Sequence, residues 1–504
     1  DGAVDMASTL TLAGNADFNG DLDVDGNLET DALSINGTAV TASAAELNIL
    51  DGVTSTTAEL NLLDGVTTLY GSGALGIDSE SNIGIGSTTL ANLTSGIRNN
   101  AYGGGSLNAN TSGSYNNAYG YRSLNSNSTG SYNNAFGYLA MQQNTTGDNN
   151  TAFGHAALRY NSTGDYNIAI GFEALYNQAS TDDSLAIGNF ALWANTHGIR
   201  NFGIGYKALW KNETGDYNTA IGYAALEGNN SSTNIERNTG VGYQVMRYNT
   251  GSNNTAMGID ALYNNTGAEN VAMGNDAMND NTSGTSNTAI GYIALAQNTT
   301  ADYNVAIGNR SLTSNTTGES NTAVGSRSML ANTTGDFNTA VGYETLAANT
   351  TGDLNTAVGY QALDSNTTGN GNTAVGSFAL DNNTTGLYNN AFGYNSNGST
   401  TGSQNDAFGY EALRSNTTGD DNVAIGHKAL YSNTTADDNV AIGSAALFSN
   451  TTGYDNVAVG SAALNSNTTG YANSALGSLA LNNNTDGHGN AAFGYYALSQ
   501  NTTG

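Results

Sequence analysis

Residues 338–371 read NTAVGYETLAANTTGDL and then NTAVGYQALDSNTTGNG, two copies of one unit opening at Asn338 and Asn355. The copies start 17 residues apart, and degraded versions recur about twenty-five times between Asn82 and Gly504. A fixed short period marks a repeat architecture, in which each unit buries its apolar residues only against its neighbours. Count places from the first Asn. Place two is Thr or a larger apolar residue (Val305, Val423, Ile168), and place three is nearly always Ala (Ala340, Ala357, Ala424). Place four is Val, Ile, Phe or Met, and place five is Gly. Strand alternation puts places two and four on one face and three and five on the other. One face carries bulk, and the other lets a second backbone come very near. Ala362-Leu363, at places eight and nine, reads as a second short strand with an apolar residue to bury. Asn-Thr-Thr-Gly then turns the chain, because Asn tolerates left-handed geometry and Gly adopts it without steric cost.

Helical repeats would need longer stretches at 3.6 spacing and no Gly-rich turn in every copy. The expected fold is therefore all-β, a repetitive β-solenoid or β-roll rod of about 17-residue coils. At ~4.8 Å per coil, twenty-five coils span roughly 120 Å. The irregular copy LEGNNSSTNIER, residues 226–237, inserts a few residues that must loop out on the surface.

Composition narrows the task. The 504 residues carry 42 Asp and Glu against 12 Lys and Arg, a net charge of −30. That argues against nucleic acid, which is held by cations neutralising phosphates, and against anionic membranes. Charged residues are only 11% of the chain, and 28 Tyr with apolar residues at fixed places oppose disorder. There is no Pro, as suits a chain that is nearly all hydrogen-bonded ladder. Without Cys there is no disulfide, thiol or Cys-metal chemistry. No apolar run approaches the ~20 residues that span a bilayer. The first residue is Asp1 rather than Met, which reads as a piece of a longer polypeptide.

Three regions are expected. Residues 1–40 alternate apolar and polar, with Phe18, Leu22, Val24, Leu28, Leu33, Ile35 and Val40 on short half-buried strands joined at Gly20, Gly26 and Gly37. Asp21, Asp23 and Asp25 before Gly26 match the start of a calcium loop, but its twelfth position is Ala32 instead of Glu. Solvent-facing acids on a strand are the expected reading, and no metal site is assigned. Residues 41–66 hold a tandem AELNxLDGVT whose Leu47, Leu50, Leu60 and Leu63 fall at helical spacing. Such short helices need partners, which points to a trimerising collar. Residues 67–504 form the rod.

Catalysis needs different residues converging, whereas a repeat supplies columns of the same one. His155, His197, His427 and His488 fall in distant copies with no i, i+4 pair, so surface positions rather than metal ligands are expected. Asp148, Asp165, Asp216, Asp336 and Asp353 could mimic paired glycosidase carboxylates, but a turn column accounts for them. Neither a catalytic set nor a cofactor site is read. Two columns have a binding interpretation. Tyr fills place six at Tyr121, Tyr138, Tyr206, Tyr223, Tyr292, Tyr343, Tyr360 and Tyr410. Stacked rings would stabilise a ladder or, if exposed, offer flat platforms for sugars, with Tyr121, Tyr138, Tyr343 and Tyr360 the candidates. The sequon Asn-x-Ser/Thr recurs at Asn144, Asn161, Asn315, Asn332, Asn349, Asn366, Asn416, Asn433, Asn450 and Asn467. These would present glycans in a row, or else serve as turn formers and ladder builders.

At Asn422-Val423-Ala424-Ile425-Gly426, and again from Asn439 to Gly443, the unit resembles the head repeat of trimeric autotransporter adhesins. That family writes a left-handed β-roll as S/N-V-A-I-G-x-x-A, three chains side by side; the unit here is about three residues longer. The AAELNILDGVT pair resembles segments of tail-fibre proteins of marine and environmental phages, often found beside NTAVGYxAL-type repeats. The resemblance implies a homotrimer. It also implies a structural shaft of an extracellular fibre, on a virion tail or a cell surface, that spaces a host-attachment tip from its anchor. The implied partners are further copies of the chain and a cell-surface glycan or other host receptor. A bacterial surface adhesin or glycan-decorated filament is the alternative, and a polysaccharide-cleaving β-helix the third.

Overall fold

The computed structural model describes residues 33–35, 38–40, 75–78, 80–228 and 235–504. The chain divides into two units, Asp1–Val66 and Thr67–Gly504. In the first, β1 (Leu33–Ile35) pairs antiparallel with β2 (Thr38–Val40), Ile35 opposite Thr38. Asp21, Asp23 and Asp25 and the tandem repeat of residues 41–66 lie outside the described residues.

The second unit is a parallel β-solenoid. It opens with β3 (Leu75–Ile77) antiparallel to β4 (Ile83–Ile85), and from there twenty-five three-residue strands, β4 to β28 (Ala491–Phe493), pair in chain order. The stack is linear, each strand bonded to those of the coils before and after it. Register is place upon place: Thr339 faces Thr356, Ala340 faces Ala357 and Val341 faces Val358. The coil between Thr219 and Thr239 is three residues longer and keeps this register. Residues 229–234 of the expected surface loop lie outside the described residues. There is no helix among the described residues, and none long and apolar enough to cross a membrane.

Each coil holds one strand, not two. Ala362 and Leu363 lie in a turn, with Gln361 at φ 51° and Leu363 at φ 55°. The physical reason is closure: a thin coil must curl sharply after its only strand, and left-handed residues at places seven and nine do this. Their backbone groups still bond between coils, as Leu346 N–H to Ala362 O at 3.0 Å and Glu344 N–H to Ser326 O at 3.0 Å. Inter-coil hydrogen bonds thus offset the roughly 1–2 kcal/mol that a left-handed non-Gly residue costs.

The small face is also not where a second chain would lie. Ala340, Ala357 and Ala374 are fully buried against the Leu of place nine in the chain's own core, while Val341 and Val358 point outward at 38% exposure. A 17-residue coil encloses room for an Ala and a Leu and little more. The backbone that the small face lets come near is therefore the chain's own turn. Place five approaches the next coil instead. Gly342, at φ 142°, would put a Cβ 2.2 Å from Gly359 O, so no side chain fits there.

Two Asn columns line the remaining interior. Asn355 accepts a place in one by donating Nδ2 to Asn338 Oδ1 at 3.1 Å and to Gly369 O at 2.8 Å, while its own N–H donates to Asn338 Oδ1 at 3.0 Å. In the other, Asn349 Nδ2 donates to Asn332 Oδ1 at 2.8 Å and Gly352 O at 2.9 Å. Buried amides are tolerated because, over most of the stack, each coil supplies the partner the next one needs.

Candidate functional site

The outward places define the surface. Along places six and seven, seven successive ring contacts run from Tyr121 to Tyr243, passing through His155 and Phe172 at place six and Phe190 at place seven. Five more run from Tyr343 to His427. Tyr121 and Tyr138 stack at 5.5 Å and 18°, and Tyr343 and Tyr360 at 5.6 Å and 9°. These rings spend their faces on one another and turn edges and hydroxyls to solvent, which favours a stabilising ladder over sugar platforms. Tyr292 stands apart, between coils that carry Asn275 and Asn309 at this place.

The sequon asparagines are in the core. Asn416 is 1% exposed and the other nine, Asn144, Asn161, Asn315, Asn332, Asn349, Asn366, Asn433, Asn450 and Asn467, are fully buried. In each, Nδ2 donates to the carbonyl three residues on, as Asn144 to Gly147 at 3.0 Å and Asn433 to Ala436 at 3.0 Å. A glycan on that nitrogen has no room in the closed coil and would displace the bond. In the folded chain the column builds the ladder.

The Asp column is also occupied with backbone. Ser131 N–H donates to Asp148 Oδ1 at 2.6 Å, Asp148 N–H to Asp165 Oδ1 at 2.7 Å, and Asp336 N–H to Asp353 Oδ1 at 2.8 Å. Each carboxylate thus caps an N–H of the preceding coil. His155 is stacked between Tyr138 and Phe172, His427 on Tyr410 and His488 on Tyr471, while His197 Nδ1 lies 3.0 Å from Thr196 Oγ1. Among the described residues no three His, Cys, Asp or Glu side chains converge on a metal position.

One open groove of about 570 Å³ lies along the strand face between Tyr166 and Tyr217, floored by Ile168, Leu185 and Phe202. Asp183 and Arg200 form an ion pair at 3.6 Å in its wall, both about half exposed. It brings together no nucleophile and base. Elsewhere a carboxylate does sit in an unusual environment. Burial, then the nearby charges of Glu344 and Asp381, push Asp364 up to about 6. Glu344 itself is held below its usual range by Arg327, 2.8 Å away.

Sequence reasoning missed two surfaces. The first is the outward stripe of places two and four, where Phe153, Met257 and Ile425 are 59%, 51% and 40% exposed. The alternation identified the face without saying which way it turned. The second is a cluster of Tyr176, Trp193 and Trp210 at place ten, for which the protein's only two Trp were the available signal. No protein-family model, curated protein or solved structure matches the chain.

Proposed function

We propose that this chain is the shaft of an extracellular fibre, of the phage tail-fibre or similar adhesive kind, built from three copies side by side. The observation that carries the reading is the outward stripe on an unbroken parallel stack. The core is complete within one chain, so nothing about closing the coil requires bulk at place four. Yet Val, Ile, Phe and Met stand there in coil after coil, together with Thr, Val and Ile at place two. Fourteen of the 25 place-four residues are 37% exposed or more, and at roughly 100 Å² per side chain these alone leave on the order of 600 Å² of apolar surface on one face, to which the partly exposed remainder adds. Monomers rarely expose more than a few hundred Å², and a stable interface buries about 800 Å² per partner. Further copies of the same chain fit a stripe that is regular and as long as the stack. The shaft would space a distal host-attachment tip from its anchor, outside the cell. No catalytic role is assigned.

Native mass spectrometry tests the assembly. Three chain masses are expected, and a variant with Val341, Val358 and Val375 all changed to Lys should run as one chain with unaltered circular dichroism. A wild-type protein of one chain mass would overturn the side-by-side reading.

A further inference from the structure

The Ala of place three and the Leu of place nine meet in the core, so places ten and eleven lie across it from the strand face. In most coils these places carry small or polar residues, as Asn108-Ala109, Asn125-Ser126 and Thr313-Ser314 do. The ladder asks for nothing larger. That changes at Arg414, Tyr431 and Phe448, and over a longer stretch between residues 159 and 263, where both Trp lie. Tyr176 stacks on Trp193 at 5.7 Å and 6°, and Trp193 meets Trp210 at 6.3 Å. Lys207 Nζ and Lys211 Nζ stand 4.2 and 4.9 Å from the Trp210 ring centre. In the next coils Glu227 is shared by Lys207 at 3.5 Å and Arg247 at 2.6 Å, one carboxylate between two cations. Both Trp and four of the protein's 12 Lys and Arg, namely Arg159, Lys207, Lys211 and Arg247, gather on this face.

We propose that this face of the shaft binds an acidic polysaccharide, one bearing carboxylate or sulfate groups. The half-buried rings of Tyr176, Trp193 and Trp210 give the strip an apolar surface against which a sugar's C–H groups can lie. The ammonium and guanidinium groups match the anionic substituents, with charge-assisted bonds about twice as strong as neutral ones. Around these rings stand the cations Arg159, Lys207, Lys211 and Arg247 and the acids Glu173, which accepts from Trp193 Nε1 at 2.9 Å, and Glu227, a local excess of cations on a chain of net charge −30. Six coils at ~4.8 Å give a strip of roughly 25–30 Å, long enough for several sugars. The site lies across the core from the proposed contact between copies, so it is available in one chain or three, and its failure would leave the shaft reading untouched.

Both Trp lie in the strip, so intrinsic Trp emission reports on it directly. Titration of the full chain with polygalacturonate at low salt should give a saturable change, reversed by added salt, while neutral dextran gives none. Lys207→Gln with Lys211→Gln should weaken binding at least tenfold with an unchanged melting temperature. Should that pair fail to fold, Lys211→Gln alone should weaken it severalfold. The proposal is overturned by silence towards both polygalacturonate and heparin, by equal response to dextran, by undiminished affinity in the folded variants, or by tighter binding of single-stranded DNA than of either polysaccharide.

Discussion

At Asn397 one residue interrupts the Leu column of place nine. It takes the same left-handed turn, φ 49°, and is fully buried, yet its Nδ2 has no partner in the protein. The apolar core stops at Ala391 and resumes at Ala407 on either side of it. Asn397→Leu removes an unsatisfied donor and restores apolar contact, gains that outweigh the 3.3 Å bond its Oδ1 accepts from Ser399 N–H, and should stabilise by about 1 kcal/mol. A lower melting temperature for the variant would refute this account of the gap. Asp364 makes a second residue-level test. Its folded pKa of about 6 lies above the 3.8 of the free side chain, so the folded state favours the protonated form. The stability it contributes is full below about pH 4 and is lost as pH rises through 6. Because the group is half exposed, the effect at pH 7 is discounted to on the order of 1 kcal/mol. Asp364→Asn should therefore melt higher than wild type at pH 7 and the two should converge near pH 4; a constant difference across that range would exclude the linkage.

At the scale of the element, a three-residue strand is too short to be stable by itself, and the Asn columns explain why it persists. Asn338 accepts from both the N–H and the Nδ2 of Asn355 and donates to Asn321 and Gly352, so one side chain ties three coils. Asn338→Ala strands several buried groups at about 1–3 kcal/mol each. Calorimetry should show a loss of several kcal/mol, whereas Asn309→Ala, in the outward place-six column, should cost under about 1 kcal/mol. Equal losses at the two positions would show that the interior column carries no special weight. The period, the strand at places two to four, the Gly at place five and the all-β class were legible because they recur in register. The turn at Ala362-Leu363 was not. A small-large apolar pair reads the same whether it is extended or curled, and only the need to close the coil chooses between them.

For the whole molecule, a linear stack has nearest-neighbour stability, so its weakest section sets where it opens. That section is visible. Gln178 and Ser184 replace Asn in the two interior columns of successive coils, and the buried oxygens Gln178 Oε1, Thr181 Oγ1, Ser184 Oγ, Asn195 Oδ1 and Asn212 Oδ1 have no partner in the protein. Hydrogen exchange should be at least tenfold faster for residues 178–215 than for 321–372, where both columns are continuous. Uniform protection along the stack would remove the weak section.

By itself the sequence determined the repeat: its 17-residue period, its parallel all-β character and the absence of helix from the stack all follow from like residues recurring at like places. Only the tertiary structure decided which side of the strand faces in. Alternation defines two faces but not their direction, and that was settled by the volume a 17-residue coil encloses, enough for an Ala at place three opposite the Leu of place nine but not for a Phe or Tyr there. The same closure drew the sequon asparagines into the core and left the apolar stripe outside. It also laid Trp193 and Trp210 side by side across that core, because residues 17 apart become neighbours only when the chain has gone once round.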